Sequence, residues 1–168
     1  MNLIIPILIV CQAIGAIIGA YTVIHGELTY IRATRDGRID EAERVHLVHI
    51  GRGLRYGMLL LLLASLGTVI MSYTSHAAVQ PAVTVSYWIF MLLALLVTIV
   101  SWALARKHLS LLLGSAVVFT AWWFLVYLAI GLLPSLSVGS AAALFVIFAG
   151  IFYAMLRYVR RFALPPKA

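Results

Sequence analysis

The sequence predicts an all-α, polytopic membrane protein: a five-helix transmembrane bundle with a long cytoplasmic helical hairpin between its first two spans. Three observations lead there. Apolar residues make up 64% of the chain at a mean hydropathy of +1.10, more than a soluble core needs. Charged residues are only 10%, gathered in a few short segments. Five apolar runs reach spanning length, roughly 3–24, 56–72, 85–105, 109–132 and 138–156. Residues 1–168 read as a single integral membrane domain.

The first run follows Met1-Asn2, which carries no basic n-region, and its length suits a retained span rather than a cleaved leader. The single cysteine, Cys11, lies inside it and excludes an internal disulfide and CxxC redox chemistry. Next comes the one long polar interval, 25–55. It holds all five acids, three of the five histidines and six of the twelve basic residues. Arg35-Asp36-Gly37-Arg38 is a turn in which Gly37 can take positive φ. Asp40 and Glu43 stand as an N-cap and its capping-box partner, and nothing breaks a helix from there to Tyr73. The first helix likewise continues past Ile24 to about Ala33, giving an antiparallel hairpin that turns near Gly37.

At about 100° per residue, the first helix carries a seam of small residues: Gly15, Gly19, Thr22, Gly26, Thr29 and Ala33. The second carries Gly53, Gly57, Ala64 and Gly67 on one face, interrupted by Leu60. Two such seams let helix backbones approach closely. Residues whose numbers sum to about 74 then sit level, because both helices rise equally per residue. That places His25 level with His49.

Beyond the hairpin, Gln80-Pro81 and Pro134-Ser135 are turn signals between spans, and Arg106-Lys107-His108 alone separates runs three and four. Tyr87-Trp88 and Trp102 flank run three as interfacial aromatics do. Trp122 and Trp123 fall mid-run, where one indole N–H wants a Ser, a Thr or a bound molecule, unless ordinary packing accounts for both.

All twelve Lys and Arg residues fall on one side of this topology: six in the hairpin, two between runs three and four, four after run five. The positive-inside rule puts the N-terminus outside and the C-terminus in the cytoplasm of a cell inner or plasma membrane. The formal charge of +7 and pI near 10 then point to anionic lipids at the cytoplasmic face, not nucleic acid. Other membrane subunits or a second copy are the remaining expected partners.

His25, His46 and His49 are the candidate cofactor site, for b-type haem or a transition metal, since imidazole suits both. A smooth glycine seam beside them suits a flat porphyrin, although His25 points roughly 80° off that seam by the helical count. The plain alternative is three interfacial side chains. His46-Leu-Val-His49-Ile-Gly-Arg52-Gly-Leu-Arg55 resembles the His, Gly and Arg run in the haem-bearing membrane anchors of succinate dehydrogenase. The resemblance covers about ten residues, and those anchors usually have three spans, so their function is not carried over.

Three further chemistries fare worse. Asp36 to Glu43 matches the end of an EF-hand loop, but Arg32 would occupy the first ligand position, which disqualifies calcium. Ion-coupled transport needs charge inside the spans, and runs three to five have none away from their ends. Glu27, one turn past run one, is expected to pair with arginine. For catalysis, no Ser-His-acid or paired-carboxylate set lies at one level. Buried Ser and Thr are expected to bond to their own helix backbone or a neighbour. The expected function is therefore non-enzymatic: a small membrane subunit or binding protein. The alternative is a transporter or channel subunit for an uncharged or lipidic solute.

Overall fold

The computed structural model describes residues 3–35, 41–76, 80–131 and 137–163, with side chains described outside 33–50, 105 and 163. Within them the chain is helical, with no strands: α1 (Ile4–Arg35), α2 (Glu41–Thr74), a 3₁₀ turn (Pro81–Val83), α3 (Val85–Ala105), α4 (Leu111–Ile130) and α5 (Val138–Ala163). Five of these are long and apolar enough to cross a membrane. Large apolar side chains such as Ile7, Leu59, Leu92, Ile99 and Val146 stand exposed around the bundle, as an apolar surrounding allows and water does not.

Local chemistry sets the ends. Pro6 falls in the first turn of α1, where its missing N–H is no loss. Thr84 caps α3 by accepting from the Tyr87 N–H, and Ser110 caps α4 by accepting from the Leu113 N–H. Gly131 closes α4 in the left-handed region at φ 74°. At the short α3–α4 turn Lys107 takes that conformation instead, at φ 59°, and the His108 N–H donates back to Ala103 O at 2.9 Å. Arg106 stacks 4.4 Å over the Trp102 ring at the same end, and Trp88 donates to Ala82 O at the other.

Three apolar runs extend further than expected: the first continues to Arg32 rather than Ile24, the second starts at Gly51 rather than Tyr56, and the fifth continues to Phe162 rather than Leu156. The arginines in these extensions fall at the basic ends of the apolar stretches: Arg32 in the first, Arg52 and Arg55 in the second, and Arg157, Arg160 and Arg161 in the fifth. The turn at Asp36 to Arg38 and the cap at Asp40 lie outside the described residues, as do the side chains of the calcium-like stretch.

The α1–α2 contact is made by backbone. A Cβ on Gly15 would come 2.7 Å from Leu61 N and 2.9 Å from Gly57 O. One on Gly57 would come 2.9 Å from Gly15 O, and one on Gly53 3.1 Å from Thr22. These partners sit level as the hairpin register requires. Leu60 does not interrupt the seam; Leu61, fully buried against Gly15, occupies the contact row instead. Gly19 has a second role. A Cβ there would overlap the indole of Trp122, the largest fully buried side chain, so Gly19 also seats α4.

α4 is the centre of the bundle, packed against α1, α3 and α5. α2 packs on α1 and on the 3₁₀ turn but not along α3. The C-terminal ends of α1, α3 and α5 and the N-terminal ends of α2 and α4 gather at one end, called here the basic end.

Candidate functional site

Because α2 leans on α1 and α3 on α4, a cleft of about 450 Å³ opens between α2 and α3. Gly51, Leu54, Arg55, Met58 and Leu59 form its α2 wall. These positions recur at helical spacing, so they share one face. Val97, Thr98 and Ser101 form the α3 wall, and Trp122 the floor. The Thr98 hydroxyl is spent on Ala94 O at 2.9 Å. The Trp122 N–H is buried and has no hydrogen-bond partner among the described residues. Such an orphan costs about 1–3 kcal/mol.

Deeper at the basic end lies a second cavity of about 300 Å³ between α1, α4 and the ends of α3 and α5. Leu54 and Ser101 line both spaces. Its apolar walls include Leu104, Val118, Phe119 and Leu156; its polar corner holds Glu27, Tyr30 and Ser115. There Arg160 of α5 reaches across to α1. Its Nε donates to Glu27 Oε1 at 2.7 Å, its Nη2 lies 2.5 Å from the same oxygen, and Nη2 also donates to Ser115 Oγ at 3.2 Å. The guanidinium stands 5.0 Å over the Tyr30 ring. Both charged side chains are 12% exposed. The expected pairing of Glu27 with arginine is met, by an arginine 133 residues away rather than one in the hairpin.

Elsewhere, Phe119, Trp123, Tyr127 and Phe152 border a crevice of about 530 Å³ between α4 and α5, and a polar recess of about 160 Å³ at the far end touches Gln12, Ser65 and Thr68. Thr22, Thr68 and Thr120 donate to carbonyls one turn back, as expected of buried hydroxyls in such helices. Among the described residues neither Ser nor Thr serves the Trp122 N–H.

Of the predicted cofactor residues, His25 is half-buried, with Nδ1 3.4 Å from Thr29 Oγ1 and its ring edge-on to Tyr21. The side chains of His46 and His49 lie outside the described residues. Among the described residues no three of His, Cys, Asp and Glu converge on a metal position. Arg160 and Ser115 escaped sequence reasoning, yet a signal exists. Arg160 follows Phe152 and Leu156 at four-residue steps, so it continues the inward stripe of α5. Compared with known proteins, the chain matches no family model, no curated protein and no solved structure.

Proposed function

We propose that this chain is a non-enzymatic integral membrane protein that takes an uncharged, lipid-like molecule into the cleft between α2 and α3. In this reading it crosses the bilayer five times with the basic end in the cytoplasm, where Arg52 and Arg55 meet anionic headgroups. The observation that carries it is the cleft: two consecutive spans left apart over about 450 Å³. Ligand sites in helical bundles have that size and mostly apolar lining. The Trp122 donor in the floor adds a group that an acceptor oxygen on a ligand could satisfy after a small shift of the indole.

The test is extraction in mild detergent followed by mass spectrometry of bound lipid. Thr98→Trp, which fills the cleft from α3, should strip the bound species while leaving thermal stability near that of the parent. Equal lipid content in both would end the cleft reading. Orientation is checked separately: in a Cys11→Ser background, Gly37→Cys should react with an impermeant thiol reagent only after cells are permeabilised.

A haem or metal at His25, His46 and His49 is the second reading, supported by a register that sets Gly53 beside Thr22 and by which His25 and His49 would sit level. It requires a Soret band, or a bound metal by elemental analysis, lost in His49→Ala. A colourless, metal-free protein from haem-supplemented cells would leave the cleft reading alone.

A further inference from the structure

The Glu27 corner has features that neither helix packing nor the cleft explains. Both contacts of Arg160 fall on Oε1 of Glu27, and Oε2 has no hydrogen-bond partner among the described residues. Nor is Oε2 sealed off: the one buried, unpartnered side-chain polar atom found among them is Trp122 Nε1. Glu27, which carries this acceptor with spare lone pairs, lines a cavity of about 300 Å³ whose walls are mostly apolar, with Thr22, Tyr30, Ser101 and Ser115 as the other polar members. The cavity is adjacent to the α2–α3 cleft, with Leu54 and Ser101 lining both.

Charge decides what fits. Glu27 is neutralised by Arg160, whose Nε and Nη2 are directed at Glu27 and Ser115 and whose face covers Tyr30. A cation brought in would lose its hydration against a carboxylate already paired, and an anion, even on the Arg160 donors not directed at Glu27 or Ser115, would sit beside the carboxylate that already neutralises that guanidinium. A hydroxyl brings no charge and donates one hydrogen bond to a charged acceptor, the stronger kind.

We propose that this corner seats the head of a neutral amphiphile that carries a hydroxyl. The hydroxyl donates to Glu27 Oε2, and the apolar tail runs past Leu54 and Ser101 into the α2–α3 cleft. The proposal rests on the cleft reading above and adds the head-group class and its anchor.

The probes are three C16 chains with a diazirine in mid-chain, ending in an alcohol, a carboxylate or a quaternary ammonium. Each is photolysed with the full-length protein in nanodiscs, and labelled peptides are mapped. The alcohol should label α4 around Val118 and Phe119 as well as the α2 face around Met58. The charged chains should label the corner about tenfold less, the ratio that a charge-assisted hydrogen bond corresponds to. Glu27→Gln with Arg160→Gln, which removes both charges, should lower corner labelling by the alcohol to the level of the charged chains. Leu54→Trp should plug the passage, so that corner labelling disappears and cleft labelling persists; this variant leaves the ion pair intact and guards against a misfolded double mutant. Stronger corner labelling by either charged chain would overturn the proposal, as would corner labelling unchanged in both variants. Cleft labelling by all three chains with none at the corner, a corner that holds water only, would sink the proposal and leave the cleft reading standing. Labelling at neither place would remove both.

Discussion

α2 has two chain neighbours and treats them in opposite ways. Against α1 it closes until backbone meets backbone, with Gly15 and Gly57 leaving no room for a methyl group. From α3 it stays apart, and the space between them is lined by Met58, Leu59 and Thr98. Both faces of α2 are apolar enough for lipid, so hydrophobicity does not choose between them. Side-chain size does. In an apolar medium helices associate by van der Waals packing and hydrogen bonds, and that contact falls off steeply with distance. The glycine face gains close contact; the Leu and Met face does not.

The difference can be broken from the tight side first. Gly57→Leu should destabilise the protein by about 3 kcal/mol or more, since the clash is with backbone and cannot be relieved by a rotamer change. Denaturant titration in micelles measures it, and a loss under about 1 kcal/mol would show that the two helices separate at little cost. Next in size is the ion pair that holds α5 to α1. Glu27→Leu strands Arg160 and should cost about 2 kcal/mol, below the figure for full burial because both side chains keep some exposure. Glu27→Leu with Arg160→Leu should recover most of that. A double variant as unstable as the single would mean that the pair itself, not the stranded charge, carries the energy.

On the open side the effects shrink. Thr98→Trp enters the cleft and should stay within about 1 kcal/mol of the parent, because nothing packed is displaced. Smallest is Gly150→Ala on α5, where a Cβ has nothing within 4 Å. It should stabilise by about 0.5 kcal/mol through helix propensity alone. A large loss there would place an unrecognised contact on the outer face of α5, of which only 6% of the apolar window is buried, against 50% for α4.

Much of this architecture is legible in one dimension. Run length set the five helices, and the small-residue periodicity picked the faces of α1 and α2 that meet. The turn near Gly37 gave a register that Leu8–Gly67 and Thr22–Gly53 obey. Each of these depends on neighbours within a few residues or on a hairpin between consecutive helices, so local rules suffice. The seam failed at one step, Leu60 against Leu61, because a helix face followed for several turns drifts from an idealised count.

The candidate site was visible only in part. Glu27 stood out as a lone acid beside a span, and Trp122 as an indole far from an interface. Their partners did not. Nine arginines other than Arg160 flank spans or fill the hairpin in the same way (Arg32, Arg35, Arg38, Arg44, Arg52, Arg55, Arg106, Arg157 and Arg161), and composition ranks none above the rest. The sequence by itself determined how many helices there are, which pair closes tightly and which end is basic, since hydropathy and glycine spacing act along the chain. Only the tertiary structure decided that α4 is central, that Trp122 rests on Gly19, that Arg160 answers Glu27, and that α2 and α3 stand apart. The physical reason is that lipid is as apolar as the bundle interior. α4 is apolar all round, so no stripe in its sequence marks the face that turns inward, and lateral order is settled by the fit of side chains from spans distant in sequence.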